Sequence, residues 1–168
     1  MQDILVVSDT HGRASLLVDL IYRHPDCETV LFLGDGLSDL ETARFAFPDR
    51  RFLAVRGNCD GVLHSRLLLD APPIRTLTVE GVTLMMTHGH LYGVKSGTQH
   101  LADYAAENGC NVALFGHTHT PCDRYTDAAG HRILLCNPGS LGCYTDGRRT
   151  YGVLHIDNNS ALFGIGEP

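Results

Sequence analysis

The sequence predicts an α/β fold, a two-sheet sandwich flanked by helices, and two observations carry that reading. Between residues 4 and 61, three short apolar runs each end in a Gly-containing polar loop, and helix-spaced segments follow the first two. Such βα-type units imply a parallel sheet covered by helices. From residue 75 onward a hairpin pattern appears, and beyond Pro121 short β candidates follow one another, separated by Gly, Asn and Asp turns. That second half suits a second sheet or an antiparallel extension of the first.

Taken in order, residues 4–7 (Ile-Leu-Val-Val) form a continuous apolar run followed by Ser8-Asp9-Thr10-His11-Gly12. From Ala14 the spacing of Leu16, Leu17, Leu20 and Ile21 becomes helical and ends near His24-Pro25. Residues 29–33 repeat the design and run into Gly34-Asp35-Gly36, with a helix through Asp39, Leu40, Ala43 and Phe47 that stops at Pro48. Residues 51–55 make a third strand, and the loop 56–61 behind it is too polar and Gly-rich for a helix. After Pro72-Pro73, residues 75–79 and 82–86 flank Glu80-Gly81, a hairpin turn. The second of these strands ends in Thr87-His88-Gly89-His90. A helix over 98–107 closes at Asn108-Gly109, and the strand 112–115 delivers Gly116-His117-Thr118-His119. Residues 124–126, 132–136, 151–156 and 161–165 are the remaining strand candidates.

Composition bounds the function. A chain of 168 residues fits one domain, expected to span 1–168, and a domain of that size buries roughly 70% of its unfolded surface. The net charge is −6 and the 13 Lys and Arg residues form no run, so no nucleic-acid surface is evident. An acidic protein that handled phosphate esters would need metal ions to cancel the charge. The six cysteines show neither a C-x-x-C pair nor regular spacing, which argues for reduced thiols. The start lacks a basic n-region and long apolar h-region, and no apolar run approaches about 18 residues, so the expected location is the cytoplasm with no membrane partner. A homo-oligomer is left open.

The candidate chemistry lies in the loops. His117 and His119 stand two residues apart; on extended backbone such a pair faces one side, and each ring could hold one ion of a pair about 3.5–4 Å apart. Two nearby histidines are more often surface or core residues satisfied by hydrogen bonds, and Asp9 can equally be a turn or N-cap residue. The weight comes from coincidence. Five apolar strands end in loops carrying Asp9 with His11, Asp35, Asn58, His88 with His90, or His117 with His119. Unrelated turns would not preferentially select His, Asp and Asn five times. Imidazoles, carboxylates and an amide oxygen suit Mn, Fe, Zn or Ni rather than Ca or a structural zinc. Seven such ligands suffice for two ions sharing one carboxylate, with positions left for water and substrate.

Asp9-x-His11, Gly34-Asp35, Gly57-Asn58, Thr87-His88-Gly89-His90 and Gly116-His117-Thr118-His119, in that order, resemble the calcineurin-like metallophosphoesterases. Ser8-Asp9-Thr10-His11-Gly12, Val55-Arg56-Gly57-Asn58-Cys59-Asp60 and Asn137-Pro138-Gly139-Ser140 make the small YfcE-type phosphodiesterase branch the nearest match. The resemblance implies a four-layer α/β/β/α sandwich with two mixed β-sheets. It implies two divalent transition-metal ions, manganese first and Ni, Fe or Zn as alternatives. One ion would be held by Asp9, His11, Asp35 and His119, the other by Asp35, Asn58, His88 and His117, with Asp35 bridging. A hydroxide between the ions would attack the phosphorus of a small phosphate ester in line.

Asp35, Asn58 and His90 are the residues expected to act in catalysis. One departure matters: many members carry His directly after the Asn of the third motif as leaving-group acid, and this chain has Cys59. A thiol is a poor substitute, which favours esters that need little protonation, or His90 as the acid. The retromer scaffold subunit is similar in fold and is the non-catalytic alternative, though it has lost polar site residues that are all present here. A metal-stabilised domain without a reaction is the third reading.

Overall fold

The computed structural model describes residues 2–61 and 71–168. The first half is β1 (Gln2–Val7), α1 (Ala14–Arg23), β2 (Thr29–Phe32), α2 (Leu37–Ala46) and β3 (Arg51–Ala54). The second half runs β4 (Ile74–Val79), β5 (Val82–Thr87), a single 3-10 turn (His90–Tyr92), α3 (Gln99–Glu107), β6 (Val112–Leu114), β7 (Cys122–Ala128), β8 (His131–Asn137), β9 (Tyr151–Asp157) and β10 (Ser160–Gly166).

Two five-stranded sheets result, in the orders β10-β9-β1-β2-β3 and β4-β5-β6-β8-β7. Both are mixed. In the first, β1, β2 and β3 are parallel while β9 and β10 are antiparallel; in the second, β5, β6 and β8 are parallel and β4 and β7 close the edges antiparallel. The strands after Pro121 therefore divide. β7 and β8 complete the second sheet, and β9 and β10 return to extend the first.

Side-chain alternation along β1 explains the layering. Ile4 and Val6 point between the sheets, where they meet Leu31, Leu84, Met86, Leu114, Leu154 and Phe163. Leu5 and Val7 point the other way, onto Leu17, Leu20 and Ile21 of α1 and Leu37 and Leu40 of α2. Against the outer face of the second sheet, Leu101, Ala102, Ala105 and Ala106 of α3 pack on Met85, Ala113, Ile133 and Leu135. Three apolar layers separate four layers of backbone, the α/β/β/α sandwich. Leu31 has 0% exposure between the sheets, and truncating it to Ala would cost about 2–5 kcal/mol.

Local signals set the element ends. The helices α1 and α2 stop just before His24-Pro25 and Phe47-Pro48, because the residue preceding a proline is pushed out of the helical region. Glu80 (φ 44°) and Gly81 (φ 81°) both turn left-handed, as the two-residue turn between β4 and β5 requires.

Candidate metal centre

The parallel strands β1, β2 and β3 of one sheet and β5 and β6 of the other bring the five loops named above to a common edge. Their backbones are tied together there: the Asp9 N–H donates to the Gly34 carbonyl at 3.0 Å, the His11 N–H to the Asp35 carbonyl at 3.2 Å, and the Gly116 N–H to the His88 carbonyl at 3.1 Å. Such contact demands small residues. A side chain on Gly34 would run into the backbone of Gly57, and one on Gly116 into Ser8 and Asp9. Asp9, His11, Asp35, His117 and His119 all hold φ between 44° and 68°, a left-handed conformation that costs non-glycine residues free energy and that the surrounding loops must impose.

Two carboxylates outside the ligand set do much of that imposing. Oδ2 of Asp39 accepts the Thr10 hydroxyl at 2.6 Å and the backbone N–H groups of Gly12 and Arg13 at 2.9 and 3.1 Å. Asp60 accepts four backbone N–H groups, from Asp35, Gly36, Leu37 and Gly57, at 2.8 to 3.0 Å. Neither role is visible from the spacing of the sequence. Asn137 donates to the Gly116 carbonyl and the Thr118 hydroxyl, both at 3.0 Å, which explains what the Asn137-Pro138-Gly139-Ser140 motif does.

The two candidate ligand carboxylates are aimed in the same way. Oδ2 of Asp9 accepts the Ser8 hydroxyl at 2.5 Å and the His117 N–H at 3.1 Å, which turns Oδ1 toward the rings of His119 (3.1 Å), His11 (3.6 Å) and His88 (3.9 Å). Oδ1 of Asp35 accepts the Cys59 N–H at 2.7 Å, leaving Oδ2 3.2 Å from His88 Nε2. Asp9 and His88 have 0% exposure and Asp35 has 3%. Each carboxylate thus has one oxygen fixed by donors and one turned toward the candidate ligand rings.

The donor set fits divalent ions. His88 Nδ1 lies 2.7 Å from the Leu33 carbonyl and can only donate to it, so in the neutral ring Nε2 carries the lone pair. That lone pair faces the Asp35 carboxylate and the Asn58 amide oxygen at 3.1 Å. Three acceptors meet with nothing positive between them unless a proton or a cation is present. Burial opposes charge on His88, but Asp35 and Asp9 outweigh it and raise its pKa; the same geometry would serve an ion. Burial likewise opposes ionisation of Asp35, and His88 with the Cys59 N–H overcomes it and holds the carboxyl well below its usual range. His117 is pushed down to about 4 by burial, then by His88 and Lys95, so its ring is neutral and free to ligate.

The candidate ligand atoms fall into groups, each within 4.8 Å: Asp35, His88 and His117 form one, and His11, His119 and Cys143 another, while His11 also joins Asp35 and Cys59. All seven sequence-predicted ligands come together. The geometry of His117 and His119 differs from expectation, however. They lie in bends with φ of 68° and 60° rather than on extended backbone, because the strand ends at Leu114. The rings consequently point to different groups, His117 toward His88 (centroids 5.0 Å apart) and His119 toward His11 (Nε2 atoms 3.2 Å apart).

His90 opens the 3-10 turn with its ring 5.5 Å from that of His88 and 6.1 Å from that of His117, and its buried Nδ1 has no hydrogen-bond partner. Burial and then His88 lower its pKa. Cys59 is exposed, and desolvation with Asp35 beside it pushes the thiol up to about 11. Cys143, half-buried beside His11 and His119, had no signal in the sequence beyond following the Asn-Pro-Gly-Ser motif.

Comparison with known proteins adds four findings. The family model of the calcineurin-like phosphoesterase superfamily domain matches residues 2–159. The chain is 32% identical over 166 residues to the probable metallophosphoesterase YsnB of Bacillus subtilis, covering 95% of this chain and 87% of that one. It is 29% identical over 183 residues to the phosphodiesterase YfcE of Escherichia coli, covering 96% and 92%. A crystal structure of Vps29 from Entamoeba histolytica superposes with a TM-score of 0.70 over 99% of both chains at 18% identity, a likeness of fold.

Proposed function

Because the chain belongs to the calcineurin-like phosphoesterase superfamily, we propose that it is a phosphodiesterase working with two divalent transition-metal ions, manganese foremost. The observation that carries this reading is Nε2 of buried His88 facing two oxygen acceptors at 3.1 and 3.2 Å. An inner ion would be held by Asp35, Asn58, His88 and His117. An outer ion would be held by Asp9, His11, Asp35 and His119, with Asp35 shared. When bound, such ions neutralise phosphoryl oxygens and lower the pKa of an attacking water.

The protein groups do the rest. The Leu33 carbonyl keeps His88 in the ligating tautomer, and Cys59 and Ser8 hold the far oxygens of Asp35 and Asp9 so that the near ones do not swing away. His90 lies beside the inner group, its ring 5.5 Å from that of His88, and we assign it a supporting or substrate-facing role there. In the metal-free protein burial and Asp35 hold the Cys59 thiol up at about 11, so it is protonated at neutral pH, and we assign it no nucleophilic role and only a weak one as proton donor to a departing alkoxide. The substrates that suit this site are small diesters whose leaving group departs as a stable anion. We read residues 1–168 as one catalytic domain. Among the described residues no helix is long and apolar enough to cross a membrane. A reducing cytoplasm is the setting we propose, in keeping with six free thiols.

The test is hydrolysis of a panel of mono- and diesters with graded leaving-group pKa by manganese-loaded protein, wild type and Cys59→His. Wild type should cleave aryl diesters and show a steep dependence on the leaving group. Cys59→His should accelerate alkyl-type esters by up to about 10²–10⁴-fold, the contribution of a positioned acid, while aryl esters barely change. Absence of metal-dependent turnover on every ester would overturn the enzyme reading in favour of a non-catalytic scaffold.

A further inference from the structure

We infer that Cys143 is a thiolate ligand of the outer ion, an inference that rests on the two-ion reading above. The sulfur and ring nitrogens of His11 and His119 lie within 4.8 Å of one another. The two imidazole nitrogens are themselves 3.2 Å apart, and both approach Oδ1 of Asp9. A thiol grouped with two imidazole nitrogens is in the company of metal ligands, where a thiol that only fills space would face apolar side chains.

The backbone that carries this thiol is pinned to the same loop that carries the outer ligands. The Leu141 N–H donates to the Ser8 carbonyl at 3.2 Å and the Gly142 N–H to the Asp9 carbonyl at 2.9 Å. The Ser140 hydroxyl also donates to the Asp9 carbonyl, at 2.8 Å, and in turn accepts the Cys143 N–H at 2.9 Å. Leu141 is fully buried, and a side chain on Gly142 would collide with the backbone of Asp9 and Thr10. Cys143 is thus held in register with Asp9 and His11. On binding, the thiol proton leaves to solvent and the sulfur lone pair is donated to the ion. A thiolate in that shell moves the outer site from manganese toward softer ions such as zinc, cobalt or ferrous iron.

The experiment is addition of cobalt(II) to metal-free protein, with absorption spectra and elemental analysis on wild type, Cys143→Ser and Cys59→Ser. Wild type and Cys59→Ser should develop a near-ultraviolet sulfur-to-cobalt charge-transfer band, and Cys143→Ser should lose it. In competition between zinc and manganese, Cys143→Ser should lose zinc preference by about tenfold or more, a loss typical even of outer-shell changes. On the wild type alone, metal should protect Cys143 from alkylation in peptide mass spectra, so the inference stays testable if the variant misfolds. Two bound cobalt ions without the band, a band lost only in Cys59→Ser, or alkylation of Cys143 unaffected by metal would overturn it while leaving the two-ion reading intact. A band with one ion bound per chain would instead support Cys143 and overturn the two-ion reading.

Discussion

The inner and outer halves of the site are built from the same residue types in unlike surroundings. The inner half centres on His88, wholly buried, its tautomer set by the Leu33 carbonyl just past β2 of the other sheet and its partner Asp35 only 3% exposed. The outer half has rings that are about a third open to solvent, with side-chain exposures of 28% for His11 and 31% for His119. Desolvation strengthens an ion's interaction with its ligands and slows exchange with water, so the inner position should be the tighter and the outer the more exchangeable. Asp35 groups with His88 and His117 on one side and with His11 on the other, whereas Asp9 Oδ1 lies closer to the outer rings than to His88.

The largest effect is expected at that shared residue. Asp35→Ala should strip both ions and reduce diester turnover by 10³-fold or more, roughly the scale seen when a group acting on several others is removed. Elemental analysis reads the first and a rate assay the second; two ions retained per chain would break the bridging assignment.

A smaller and more discriminating effect separates the halves. His88→Ala should abolish the tight site, whereas His11→Ala should weaken the loose one by about 10–100-fold and leave the tight ion in place. Calorimetric titration of each variant distinguishes them, and equal losses would erase the distinction between inner and outer.

The smallest effect concerns pH in the absence of metal. His88 has a raised pKa, so its contribution to stability is complete below the ordinary imidazole value and is lost as pH rises through the raised one. Asp35 has a lowered pKa, so its contribution is present above the ordinary carboxyl value and is lost only as pH falls through the lowered one. Metal-free protein should therefore lose Tm as pH rises above neutral, while the metal-loaded protein, which needs neutral His88, should not. Parallel unfolding curves in chelator and in metal check this.

The inner half was also the more legible from sequence. Apolar runs ending in Gly34-Asp35 or in Thr87-His88 report a buried strand and the loop it feeds, because burial and strand termination leave signals in adjacent residues. The outer half depends on contacts between distant segments. Periodicity alone could not reveal that His119 turns away from His117, since a left-handed bend in non-glycine residues is imposed by Asp9 and Asn137 from other loops. Asp39 read as a helix residue and Asp60 as part of a polar loop, although each organises several backbone N–H groups. The same limit applies to topology. The alternating burial of Tyr151–Asp157 marks a strand without saying that it pairs with β1, at the other end of the chain, in the first sheet.

The most direct measurement is a stepwise manganese titration of metal-free protein, with ions bound per chain and aryl diester hydrolysis followed on the same samples. A two-ion centre with unlike halves predicts a tight first step, a weaker second step, and turnover that rises with the second. Saturation at one ion, or turnover that is complete at the first and indifferent to the second, would contradict it.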